Sequence, residues 1–284
     1  MTETTVDDAV ETGRVQVADG IELAYERRGT AGPDVVLLNN FFMDRKSWRS
    51  YTTRLAAGCR LLAFDLRGQG ESTRPDIELA WDDHVSDLTT LLDALQIERT
   101  FLLGTSFSTL ICRDFALAHP DWALGLIFAG PAISPWGPQR LRRITKSWIK
   151  ALDVGGLSLL YDQLYPLVSG DYVVEAAGPT GFLGRKQNFL GIHTPESLRA
   201  GLAVSVKASL DPDLLTKIQC PTLLFVGDDD FSLSSSAVEK LVKLLPDARA
   251  VTLPRGGHLA FLEAPEVFQA EAAAFISRIT GVEF

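Results

Sequence analysis

At 284 residues, with 46% hydrophobic and 22% charged side chains, the chain has the composition of a globular protein with a sizeable core, either one large α/β domain or two small ones. A formal net charge of −9 argues against nucleic acid or an anionic membrane surface as the main partner. No apolar run is long enough to span a bilayer, and the amino end lacks a basic region followed by an apolar one, so a cytoplasmic protein without a membrane span is expected. Cys59, Cys112 and Cys220 are widely spaced and lack C-x-x-C spacing, which reads as buried structural thiols in a reducing compartment.

Residues 1–12 are acidic and Thr-rich and read as a disordered tail. Residues 14–17 and 21–28 alternate in polarity around Asp19-Gly20, a hairpin signal. Residues 35–38 form a continuous apolar run, as expected of a strand covered on both faces. It ends at Asn39-Asn40-Phe41-Phe42-Met43, and a helix is expected over 48–57. The next buried strand, 61–64, closes on Asp65-Leu66-Arg67-Gly68-Gln69-Gly70-Glu71-Ser72, and 83–95 carries apolar residues at helical spacing. Phe101-Leu102-Leu103 then runs into Gly104-Thr105-Ser106-Phe107-Ser108 and a helix ended by His119-Pro120. Residues 124–128 are one more apolar run.

From 132 to 215 the alternation stops, and helix-like segments rich in Leu, Tyr and Trp replace it. These residues read as an inserted helical subdomain within a core made of 13–131 and 216–284. The alternation resumes with a strand at 222–226, a helix at 235–244, a short strand at 250–253 and a helix at 265–279. Strands alternating with helices imply α/β architecture, a mostly parallel sheet with helices on both faces. In such sheets chemistry sits beyond the carboxyl ends of the strands. The polar residues there are Asn39-Asn40, Asp65, Ser106, Asp228-Asp229-Asp230 and Gly256-Gly257-His258.

A Ser on a sharp strand-to-helix turn has its hydroxyl held at the tip, where a base can reach it, and the first helical N–H groups point at whatever it attacks. The chain has four histidines. His84 begins a helix, where a surface or capping role is the default. His119 ends one, and His193 falls in the insert. His258, in a loop after the last strand, is free to lean over Ser106 as a base. Any of Asp228, Asp229 and Asp230 is placed to orient it.

Taken together, Leu-Leu-Asn-Asn-Phe, Phe-Asp-Leu-Arg-Gly-Gln-Gly-Glu-Ser, Gly-Thr-Ser-Phe-Ser, Gly-Asp-Asp-Asp and Gly-Gly-His make the chain resemble the α/β-hydrolase superfamily with a cap subdomain, over residues 15–279. The resemblance implies Ser106 as nucleophile, His258 as base and Asp230 as the acid, with Asp228 as the alternative. It also implies backbone N–H donors at Phe41 and Phe107 for an oxyanion. Asp65, Arg67, Gly68, Gly70 and Ser72 match a loop that is mostly structural in the family. Two departures stand out. Asn39-Asn40 replaces the common His-Gly, where Asn can tolerate a left-handed backbone. Ser108 replaces Gly, at the expense of room where helix and strand pack closely.

The expected chemistry is cleavage of an ester, lactone or thioester with an apolar acyl group through an acyl-enzyme, with no metal or organic cofactor. The alternatives are an acyltransferase, moving an acyl group from a carrier protein or CoA to an alcohol, and a ligand receptor on the same fold. Asn40, Phe42, Trp136, Tyr161 and Phe182 are the expected pocket residues, although the insert's aromatics could equally just pack the cap onto the core. The basic run Arg140, Arg142, Arg143, Lys146 and Lys150 reads either as a solvated helix face or as a dock for an acidic acyl-carrier protein or a CoA phosphate.

Overall fold

In the computed structural model, which describes residues 10–284, the apolar runs become the inner strands of one eight-stranded sheet. The strands are β1 (Glu11–Ala18), β2 (Ile21–Arg28), β3 (Asp34–Leu38), β4 (Arg60–Phe64), β5 (Thr100–Thr105), β6 (Ala123–Ala129), β7 (Thr222–Gly227) and β8 (Ala248–Leu253), in the spatial order β1-β2-β4-β3-β5-β6-β7-β8. β1 and β2 pair antiparallel about Asp19-Gly20, β2 meets β4 antiparallel, and every other pairing is parallel. Strand side chains alternate between faces, so the sheet builds two cores. Val36, Leu38, Leu62, Phe64 and Leu102 enter one, and Val35, Leu37, Leu61, Phe101 and Leu103 enter the other.

The first core is covered by α2 (Asp83–Ala94), α3 (Ser108–Ala118) and α7 (Ser235–Leu244), through residues such as Leu88, Phe115 and Leu241. The second is covered by α1 (Thr53–Gly58) and α9 (Pro265–Thr280), through Leu55, Phe268 and Phe275. Between β6 and β7 the chain leaves the sheet for α4 (Gln139–Val168), α5 (Asp171–Ile192) and α6 (Pro195–Ser205), the inserted helical cap. Positive φ at Gly156 (63°) and Gly178 (55°) breaks α4 and α5 and folds them over the sheet edge. Among the described residues no helix is long and apolar enough to cross a membrane.

The expected tail is shorter than the composition suggests. Residues 1–9 lie outside the described residues, but Glu11 and Thr12 already pair with Arg27 and Glu26 in the β1–β2 ladder. Cross-strand pairing overrides the weak β-propensity of an acidic segment.

The approach of α3 to β5 is tight. A Cβ on Gly104 would lie 2.7 Å from Cys112 Sγ and 3.0 Å from the Ser108 backbone. Gly104→Ala is therefore expected to destabilise the protein by about 1–3 kcal/mol through overpacking, measurable as a lower midpoint of urea unfolding with an unchanged slope.

Candidate active site

Ser106 is carried by the turn from β5 into α3. Ser106 sits at φ 54°, one of three non-glycine residues with positive φ among the described residues. A β-carbon makes that region unfavourable, at a cost on the order of 1–3 kcal/mol. The turn is held by backbone bonds on both sides. Ser106 N–H donates to Ala129 C=O (3.1 Å), and its own carbonyl accepts from Thr109 N–H (3.1 Å) and Ala132 N–H (3.3 Å).

Ser108 is accommodated without crowding. Its Oγ accepts from Thr105 N–H at 3.0 Å, and its proton points between the carbonyls of Leu38 (2.7 Å) and Thr105 (2.8 Å). The side chain thus uses the room that the family's glycine leaves empty and ties the end of β3 to the turn. Only the hydroxyl could have hinted at this, since Leu38 is 70 residues away in the chain.

His258 arrives from the opposite side on the loop after β8. Its Nε2 lies 2.9 Å from Ser106 Oγ and its Nδ1 lies 2.8 Å from Asp230 Oδ2. A carboxylate can only accept, so Nδ1 carries the proton and Nε2 is left to accept from the Ser106 hydroxyl. Asp230 is buried, whereas Asp228 and Asp229 are exposed. Of the three acids in the run, only Asp230 meets the imidazole. Ser232, absent from the sequence expectations, completes the group. Its N–H and its hydroxyl both donate to Asp230 Oδ1 at 2.7 Å, and its Oγ is 3.4 Å from His258 Nδ1. Burial pushes the Asp230 carboxyl up, but the adjacent imidazole and the Ser232 hydrogen bonds outweigh it and hold the group below its ordinary range.

The loop after β3 brings Phe41 beside Phe107, with ring centroids 6.0 Å apart. Neither backbone N–H donates to another group among the described residues. The Asn39-Asn40 departure has a different basis from the one expected. Neither residue has positive φ. Asn39 Nδ2 donates to Met43 C=O at 3.0 Å and Asn40 Oδ1 accepts from Phe42 N–H at 2.8 Å, so the amides brace the turn with side-chain bonds. From the cap, His193 Nε2–H donates to Phe42 C=O at 3.1 Å.

Space near Ser106 is divided. A cavity of about 10 Å³ over Ser106 is closed by Leu141, Ile144, Thr145 and Trp148 of α4 together with Phe231. A second cavity of about 450 Å³ is lined by Phe42, Tyr161, Tyr165, Phe189, Leu259 and Arg185, among others. The rings of Phe42 and Trp148 meet edge to face between the two, centroids 5.7 Å apart. Tyr161 and Phe42 thus line the larger cavity, while Phe182 stands behind it against Tyr161 and Tyr165. Asn40 is buried in the turn and lines neither cavity. Trp136 is 65% exposed, with the Lys240 ammonium 4.2 Å from its ring centroid, and lines a separate crevice of about 150 Å³. A Trp in a Pro/Gly-rich entry to the cap reads as apolar roofing, yet here the local turn carries it outward.

The Asp65–Ser72 loop is a structural knot. The Asp65 carboxylate accepts from Arg45 N–H (2.7 Å) and Glu71 N–H (3.0 Å), and Arg67 pairs with Asp87 through two bonds. The three cysteines are free and buried, and burial pushes the thiols of Cys59 to about 12 and Cys220 to about 11. Protonated, they are poor nucleophiles. Among the described residues no group of three or more His, Cys, Asp or Glu is arranged to hold a metal ion.

Comparison with known proteins identifies the family. The alpha/beta hydrolase family profile matches residues 35–271, and the chain belongs to that family. It is 23% identical to the 2-hydroxy-6-oxo-6-(2'-aminophenyl)hexa-2,4-dienoic acid hydrolase of Metapseudomonas resinovorans, over 92% of this chain and 89% of that one. The fold is shared with a thermophilic esterase from Thermogutta terrifontis (TM-score 0.83, 23% identity, 95% of this chain and 99% of that one). It is shared too with the enol-lactonase from Burkholderia xenovorans LB400 (TM-score 0.80, 23% identity, 93% and 100%). The family and these relatives place the chain in the hydrolase class.

His84 departs from the expected surface role. It is 2% exposed, packed by Phe41 and Trp81, and neither ring nitrogen has a protein partner. Burial and the nearby Arg67 push its pKa down to about 4, against a small opposing effect of Asp83. Between pH 6.5 and about 4 the unfolded chain binds a proton there that the folded chain does not. Stability is therefore expected to fall as pH drops through this window, by up to about 3 kcal/mol. Urea unfolding at pH 7 and pH 5 checks it, and His84→Leu should flatten the dependence.

Proposed function

We propose that the protein is a serine hydrolase that cleaves an ester, lactone or thioester with an apolar acyl group through an acyl-enzyme on Ser106. The observation that carries this reading is the continuous relay Ser106 Oγ–His258 Nε2 (2.9 Å) and His258 Nδ1–Asp230 Oδ2 (2.8 Å) at a positive-φ turn. In the first half-reaction His258 Nε2 takes the hydroxyl proton as Ser106 Oγ bonds to the acyl carbon, and the carbonyl electron pair moves onto oxygen. The N–H groups of Phe41 and Phe107 receive that oxyanion, a contribution of about 2.7–4 kcal/mol per donor in comparable sites. The bond to the leaving group then breaks, and the proton on His258 goes to it. In the second half-reaction His258 takes a proton from water as the water oxygen bonds to the acyl carbon, and the bond from that carbon to Ser106 Oγ then breaks as His258 returns the proton to the serine. Asp230 holds the imidazole in the required tautomer throughout. The 450 Å³ aromatic cavity beside Phe42 suits an apolar group.

Transfer to an alcohol is a second reading, since an alcohol in place of water can resolve the same acyl-enzyme. Product analysis with and without an alcohol acceptor separates the two. A catalytically inactive receptor has no use for an intact relay, and steady-state turnover of a short p-nitrophenyl ester separates it from an enzyme.

A fluorophosphonate probe is expected to add its mass to Ser106 and to leave Ser106→Ala unlabelled. Labelling of both proteins alike would remove Ser106 from the reaction. Asp230→Asn should lower kcat by on the order of 10⁴, the scale of a wrong-tautomer substitution, while Asp228→Asn and Asp229→Asn stay within about twofold of wild type. Ser232→Ala removes one hydrogen bond to a charged group, worth about 1.5–3 kcal/mol. Its kcat should fall about tenfold or more with KM little changed, and the acid limb of kcat/KM should move to higher pH as the Asp230 carboxylate loses a donor.

A further inference from the structure

The first turns of α4 present two opposite faces. Leu141, Thr145, Trp148 and Leu152 are buried, and the first three close the space over Ser106. Arg140, Arg143, Lys146 and Lys150 are exposed at spacings of three and four residues, which places them on one outer stripe. Residues 139–152 contain five cations, Arg142 included, and no acid, in a chain of net charge −9. Among the described residues none of the five forms an ion pair, whereas the next acid along the helix, Asp153, is already paired with Arg199 at 2.8 Å. Lys240 of α7 adds a sixth cation over the exposed Trp136. The 150 Å³ crevice opens among these groups, with Arg140 and Trp136 at its rim and Ser232 in its wall, one residue from Phe231 over the nucleophile.

We infer that this stripe docks an acidic acyl-carrier protein, which presents a phosphopantetheine thioester to Ser106. The inference rests on the serine-hydrolase reading above. Length decides between the anionic sources. Arg140 to Lys150 spans about 15 Å at 1.5 Å per residue, longer than a phosphate group needs and matched to the acidic face of a partner helix. Unpaired cations on an acidic protein raise the encounter rate with such a partner and fix its orientation, and salt weakens the effect. Once docked, Ser106 Oγ bonds to the thioester carbon as the C–S bond breaks. The sulfur leaves with the proton held on His258, and the carrier is released as its thiol.

The test compares octanoyl-loaded bacterial acyl carrier protein, octanoyl-CoA, octanoyl-pantetheine and p-nitrophenyl octanoate, using wild type and the Arg143→Glu/Lys146→Glu/Lys150→Glu variant. All three positions are exposed, so the fold is expected to persist, and circular dichroism checks it. The expected result is a rise of at least about tenfold in KM for the carrier-bound substrate, with turnover of octanoyl-pantetheine and the ester unchanged. Wild-type KM for the carrier should also rise with added salt, and the variant's should not. Equal losses on all substrates, or a loss on octanoyl-CoA as large as on the carrier, would overturn the inference. So would ester turnover with no thioester turnover, which leaves the serine-hydrolase reading standing. Absence of any turnover and of Ser106 labelling would remove that reading and the docking proposal together.

Discussion

The left-handed turn at Ser106 is the constraint on which the rest of the site depends. A β-branched or aliphatic neighbour at Gly104 would push α3 off β5, because Cys112 and the Ser108 backbone already occupy that space. Close approach then puts the Ser108 hydroxyl within reach of both Thr105 and Leu38. Through Leu38 the turn is tied to the end of β3, and the chain continues directly into the segment that carries Phe41. One short stretch of packing therefore positions the proposed nucleophile and both proposed oxyanion donors. Strain on the order of 1–3 kcal/mol at a single φ is small beside the several hydrogen bonds and fully buried side chains that enforce it.

A second dependency joins the His258 loop to the cap. Glu263 accepts from Gly257 N–H (3.0 Å) with one carboxylate oxygen and from Gly170 N–H (2.8 Å) with the other, and Leu259 N–H donates to Val168 C=O at 3.2 Å. A Cβ on Gly257 would fall 2.4 Å from Gly170 N, so the His258 loop and the α4–α5 junction lie backbone against backbone. His193 makes the matching tie from α5 to the Phe41 loop. The cap is thus bound to the sheet edge beside His258 and beside the Phe41 loop, and again through Ser197 of α6, which bonds Gly68 and Gln69. The first half of α4, ahead of the break at Gly156, carries none of these ties. That is the half whose inner face closes the space over Ser106.

Much of this was legible in the residues alone, because the signals were local. Continuous apolar runs can satisfy only strands buried on both faces, and Val35–Leu38, Leu61–Phe64 and Phe101–Leu103 are such runs. The order Ser, Asp, His at strand ends follows from the same pattern. What escaped was set by contacts distant in sequence. His84 stands in the first turn of α2, and nothing in that turn reveals that Phe41 and Trp81 close over it. Ser232 and Ser108 are ordinary small polar residues until Asp230 and Leu38 arrive beside them. In the cap the aromatics carry no periodic signal that separates lining from packing. Tyr161 therefore faces the cavity and Phe182 backs it, while Trp136 lies outside, and the sequence alone does not distinguish the three.

The division of space near Ser106 sets a condition on any substrate that uses both cavities. An acyl group extending from the Ser106 space into the 450 Å³ cavity must part the Phe42–Trp148 pair. An edge-to-face aromatic contact contributes about 0.5–1.5 kcal/mol beyond its area, whereas each buried methylene contributes about 0.8 kcal/mol. Two or three methylenes are therefore enough to offset the lost contact, and shorter acyl groups gain nothing by entering. Under the proposed function the ring pair would set a length threshold rather than a fixed wall. Trp148 belongs to the same stretch of α4 that carries the outer basic stripe, so a partner seated on that stripe bears directly on the element that must yield. In the proposed reading, acyl length and carrier engagement act on one helix, from its two faces.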